Sequence, residues 1–131
     1  MPIYTCTTSE STLDPDVKTV LAQEIGCIHS AINHVPSTHV NVVFHELPNG
    51  NVYTDGTPAS PVLISGWIRA GHPDAETALL VREIADAATR ITGVRAESVL
   101  VVIQSSPARF AVEGDRVLPE PGEEQAWIAN D

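Results

Sequence analysis

Positive charge is scarce in this 131-residue chain: seven Lys and Arg stand against seventeen Asp and Glu, a net charge of −10. A nucleic-acid partner needs a basic footprint, and this surface repels phosphates instead. Long apolar runs are missing too. The most apolar windows, residues 40–44 and 99–103, are strand-sized and far below the roughly 20 residues of a membrane span. The N-terminus lacks the basic region and apolar stretch of a signal peptide, so the chain reads as cytoplasmic, with no membrane partner. There are two cysteines, Cys6 and Cys27, at no zinc or redox spacing, which predicts two free, buried thiols. His29, His34, His39, His45 and His72 have no carboxylate or second His at a ligand spacing, so neither a metal nor another cofactor is expected.

What is present is ordinary core material, 43% hydrophobic residues, in a length suited to one domain over residues 1–131. Residues 3–7 read as a strand. Asp14-Pro15 then announces a helix, whose stripe Val17, Val20, Leu21, Ile25, Ile28 and Ile32 ends between Asn33 and Pro36. Residues 39–47 form a second strand closed by the turn Pro48-Asn49-Gly50-Asn51, and residues 61–68 a third. A helix begins at His72-Pro73-Asp74, carries Leu80, Ile84, Ala87, Ala88 and Ile91, and stops at Gly93. Residues 99–103 make a buried strand. Beyond Pro107 a short hairpin about Gly114-Asp115 and an irregular tail over 119–131 are expected. The pattern is an α/β chain of tandem β-α-β units, forming a four-stranded sheet with two helices on one face. The other face is left bare, which predicts self-association.

Few residues here suit catalysis. Removal of Met1 would expose a secondary amine at Pro2, and α-amino groups titrate at about 7.7–8.0, close enough to neutrality for proton transfer. Arg69 follows the third strand at its carboxyl end, where a guanidinium can grip a carboxylate in a bidentate fork; a strand-end ion pair is an equal alternative. His29 flanks the first helix stripe, and His72 lies three residues beyond Arg69. Glu113 precedes the hairpin turn, where partial burial would suit it to activating water.

Order and spacing over more than a hundred residues resemble the cis-3-chloroacrylic acid dehalogenase family of the tautomerase superfamily. The likeness is carried by Pro2, the helix start at Pro15, His29, Pro-Asn-Gly-Asn-Val at 48–52 and Ser-Gly-Trp-Ile-Arg-Ala-Gly at 65–71. It continues through Pro107-Ala108, Glu113 and Arg-Val-Leu-Pro-Glu-Pro-Gly at 116–122. The resemblance implies a homotrimer with Pro2 shuttling a proton, Arg69 and His29 holding a substrate carboxylate, and Glu113 activating water. Two positions depart from it: His72 stands where the family carries a second arginine, and Val102 where it carries a tyrosine.

Hydration of a haloacrylate draws on all those groups at once, whereas tautomerisation needs one proton carrier and one carboxylate anchor. The sequence is therefore read as a keto–enol tautomerase of a 2-oxo acid such as phenylpyruvate, with weak hydratase or dehalogenase activity beside it. The alternatives are a cis-3-haloacrylate dehalogenase or hydratase using Glu113, and a non-enzymatic trimeric scaffold or binding protein. The expected partner is a small anionic carboxylate.

Overall fold

Two β-α-β units meet back to back in the computed structural model, which describes residues 1–130. The first comprises β1 (Ile3–Ser9), α1 (Pro15–Asn33) and β2 (Asn41–Leu47). A small hairpin, β3 (Tyr53–Thr54) and β4 (Thr57–Pro58), leads into the second unit: β5 (Val62–Arg69), α2 (Asp74–Thr92) and β6 (Val99–Ser106). A second hairpin, β7 (Val112–Glu113) and β8 (Arg116–Val117), and a short helix α3 (Glu124–Ala129) follow.

The sheet runs β2-β1-β5-β6. β1 and β2 are parallel, as are β5 and β6, and the halves join antiparallel with Ile3 opposite Trp67 and Thr7 opposite Leu63. Side chains alternate along each strand. Tyr4 and Cys6 of β1 with Val62, Ile64 and Ile68 of β5 enter the core, where Leu21, Ile25 and Ile28 of α1 and Leu80, Ile84, Ala87 and Ala88 of α2 cover them. Gly66 is required by this packing. A Cβ there would lie 2.6 Å from the Tyr4 ring, so the ring fits only because the opposite residue lacks a side chain.

Helices α1 and α2 end in the left-handed conformation, at His34 (φ 60°) and Gly93 (φ 72°). On the other sheet face Ile3, Val43, Leu47, Leu100 and Val102 are exposed, and Leu63, Leu100 and Val102 border a shallow apolar depression.

Four expectations need correction. The strand over 99–103, expected to be buried, is the start of β6 at the edge of the sheet, where Leu100 and Val102 face outward and are exposed. Cys27 is exposed on α1, and only Cys6 is buried; both are free. Val20, counted in the α1 stripe, is 48% exposed, because the buried face turns through Leu21, Ile25 and Ile28. The tail expected to be irregular contains α3, held by contacts with distant residues that no local pattern could reveal. Asp131 lies outside the described residues.

Candidate active site

One end of the sheet collects the chemistry. β1 and β2 begin there, β5 and β6 finish there, α1 ends and α2 starts. Asn41 N–H donates to Pro2 O at 3.2 Å, and Ala70 N–H to Ser106 O at 2.8 Å, tying the strand ends together.

Pro2 is buried, and its nitrogen is an amide while Met1 precedes it. The Met1 amine donates to His39 O and lies 3.4 Å from Glu113 Oε1. The other Glu113 oxygen is 3.6 Å from His39 Nδ1. Burial holds this amine below the usual α-amino value, and Arg69 pushes it the same way, while Glu113 opposes both. The Met1 side chain is sealed against Val35, Ala108 and Leu118, with Trp67, Ala111 and Trp127 packed around them.

His29 comes from the last turns of α1. Its Nδ1 is 2.8 Å from Tyr4 Oη, and the two rings meet edge to face. Burial pushes its pKa down to about 3, with His72, the chain's amine and Arg69 pushing further in the same direction. His29 is therefore a neutral hydrogen-bonding group at pH 7. Four residues on, Asn33 buries both amide atoms without a partner on the same helix face.

Arg69 is only 3% exposed. Its Nη1 donates to Pro119 O and its Nη2 to Glu124 Oε1, both at 2.6 Å. Glu124 Oε2 accepts from Gly122 N–H at 2.9 Å. Burial alone would raise the Glu124 carboxyl, but the Arg69 hydrogen bond and charge, with the backbone donors, leave it below its ordinary value. His72 begins the α2 approach with Nδ1 3.3 Å from Glu76 Oε2. Arg69, Gly71, His72, Asp74 and Ser105 line a cavity of about 240 Å³.

The structure thus gathers Pro2, His29, Arg69, His72 and Glu113 at one end of the sheet. Arg69 takes on the strand-end ion pair that the sequence offered as the alternative to a carboxylate grip. Three further participants were not singled out. Tyr4 was legible only as a strand residue. His39 had no ligand spacing to mark it. Glu124 lies among neighbouring glutamates in the tail expected to be irregular, yet it is 4% exposed. No group of three or more metal-ligating side chains occurs among the described residues. No helix among them is long and apolar enough to cross a membrane.

This fold, with its chain end framed by Glu113, Arg69 and His29, defines a member of the tautomerase superfamily. Residues 1–131 match the family described as "Putative oxalocrotonate tautomerase enzyme", and the chain belongs to that family of tautomerase-type enzymes. Among solved structures, native Ps01740 is 37% identical, with 85% of this chain and 99% of that chain covered and a TM-score of 0.83. N1, a member of the cis-3-chloroacrylic acid dehalogenase family, is 25% identical over 97% of this chain and 90% of its own, with a TM-score of 0.91. A fused 4-OT wild type symmetric trimer shares the fold at 19% identity, covering 88% and 94%, with a TM-score of 0.79. No curated protein sequence matches significantly.

Proposed function

We propose that the chain, once Met1 is removed, is a keto–enol tautomerase of a 2-oxo acid such as phenylpyruvate, with the Pro2 amine as its proton carrier. The observation that carries this reading is the position of the chain end, in a buried site within electrostatic reach of Glu113, Arg69 and His29. A secondary amine placed there would inherit the burial that lowers the Met1 amine. It would then sit near the balance between neutral and protonated forms that proton shuttling needs.

Ketonisation moves one proton: the enol hydroxyl loses it and C3 gains one, with no net change. Protonated Pro2 delivers to C3 as charge builds on the enolate, and the amine recovers a proton released from oxygen. Arg69, fixed by Glu124 and Pro119 O, supplies a permanent positive charge beside the carboxylate. His29 adds a hydrogen bond without a charge. When Tyr4 donates to Nδ1, the neutral ring carries its proton on Nε2 and can donate from there.

A second reading has its own support. Standard peptide geometry puts Glu113 Oε1 within about 7 Å of Pro2 N, given its 3.4 Å distance from the Met1 amine. Over the part of that range up to about 6 Å a single water can bridge the two groups, the arrangement that weak hydratase or dehalogenase activity at the same site would use. The homotrimer belongs to the proposal as well, since the bare face presents Val43, Leu100 and Val102.

The test is phenylenolpyruvate ketonisation, followed by ultraviolet absorbance, for Met1-free protein beside Pro2→Ala. A fast rate that collapses in the variant supports the reading. Equal rates, or no activity in either, defeat it.

A further inference from the structure

Met1 marks more than the chain end. Its carbonyl carbon is bonded to Pro2 N at about 1.33 Å, so any molecule exchanging a proton with that nitrogen must enter space that Met1 occupies. The Met1 side chain is fully buried, enclosed by Val35, Ala108 and Leu118, with Trp67 and Trp127 packed against them. Trp127 is fixed in place. Its Nε1–H donates to Val117 O at 2.9 Å, and the Arg116 guanidinium lies 3.8 Å from its ring centroid while Nη1 donates to Trp127 O at 2.6 Å. A wall held at both its ring and its backbone is preorganised, so it keeps its shape when its filling changes.

We infer that the chamber filled by the Met1 side chain is, in the Met1-free protein, the seat for the apolar substituent of the substrate. This rests on the tautomerase reading and narrows its substrate class to 2-oxo monocarboxylates bearing an unbranched alkyl or aryl group. The walls around the Met1 side chain are mostly apolar. A second carboxylate directed toward the position of the Met1 amine would meet Glu113, 3.4 Å from that amine, and be repelled. Pyruvate would leave the chamber unfilled. A linear four- or five-atom chain matches methionine's own shape, and a phenyl ring offers two tryptophans a flat partner.

The experiment measures ketonisation of the enols of pyruvate, 2-oxobutanoate, 2-oxohexanoate and phenylpyruvate by Met1-free protein. Burying a methylene corresponds to about a fourfold gain, so kcat/KM should climb by about that factor per added carbon. Leu118→Ala should flatten the series. Because that variant can lose its fold, a second readout uses unmodified sequence. Hexanoate and phenylpyruvate should raise the melting temperature of the Met1-free protein and leave that of Met1-retaining protein unchanged, since there the chamber is full. A Pro2-dependent rate that is level or falls with chain length overturns the inference while the tautomerase reading stands. So do equal melting shifts in both forms. Absence of ketonisation with every enol defeats the tautomerase reading and the inference together.

Discussion

Arg69 and Glu124 form an ion pair sealed from solvent, Nη2 to Oε1 at 2.6 Å, that joins the end of β5 to the first residue of α3 across 55 positions of sequence. It makes the C-terminal helix part of the site's construction. Removing one partner leaves the other charged and buried, which costs about 3–5 kcal/mol. Glu124→Ala is therefore expected to lower stability by that amount in denaturant unfolding. Glu123→Ala, one residue away and exposed, should have little effect.

Acid should weaken the fold through two groups acting in the same direction. The Glu124 carboxyl is depressed when folded, so its contribution is present above its unfolded pKa and is lost as pH falls. His29 drops to about 3 from an unfolded value of about 6.5. Between these values the unfolded chain binds the extra proton, so stability declines from about pH 6.5 downward and His29 stops contributing to the slope below about pH 3. His29 ring resonances in NMR should show no titration between pH 5 and 8. A midpoint inside that range would contradict its neutral role.

Gly66→Ala should disturb a helix and a strand at once. The added methyl would fall 2.6 and 2.7 Å from two Tyr4 ring carbons, and that ring carries the hydroxyl bonded to His29. A loss of about 1–3 kcal/mol is expected from overpacking. Tyr4→Phe keeps the ring and removes only the hydroxyl, so the two variants separate packing from hydrogen bonding. Thermal melts with His29 NMR shifts provide the comparison.

Dehalogenation tests the two positions, His72 and Val102, at which the chain departs from the cis-3-chloroacrylic acid dehalogenase pattern. His72 pairs with Glu76 rather than supplying a fixed cation, and Val102 offers no hydroxyl. The unmodified protein should release chloride from cis-3-chloroacrylate slowly at best. His72→Arg with Val102→Tyr should raise that rate, by up to about two decades for each group restored. A double variant no faster than its parent in a chloride assay would show that these positions do not limit the reaction.

Self-association is checked by light scattering. The proposed assembly should have about three times the 14.0 kDa mass of the chain. Leu100→Glu, on the exposed face of β6, should shift it toward the monomer by placing charge in the interface.

The sequence made the frame of this protein readable because its elements are locally encoded. Asp14-Pro15 starts α1, Gly93 stops α2, and the alternation in β1 and β5 follows from what each face touches. Pro2 and Arg69 could be named for their chemistry, His29 and Glu113 mainly through the family resemblance, and His72 for its place beside Arg69. What stayed hidden depends on contacts between distant residues. The role of Glu124 exists only because α3 folds back to Arg69, and that of His39 only because β2 begins beside the chain end. Nothing in the tail's composition distinguished the buried Glu124 from the exposed Glu120 and Glu123.

The two β-α-β units repeat at an interval of fifty-nine positions, as from Pro15 to Asp74 and from Ser37 to Ala96. By that register Pro2 corresponds to Pro61, His29 to Ala88 and Arg69 to Glu10. The backbone is close to symmetric and the chemistry is not. Pro61 lies inside the chain and can never be an amine, and its end of the sheet presents a carboxylate where the other presents a guanidinium. Each subunit should therefore titrate with one equivalent of an amine-directed inhibitor, and a trimer with three rather than six. A circular permutant opened before Pro61 would exchange the Pro2 amine for one at Pro61 and still turn carboxylates away, because Glu10 would face them.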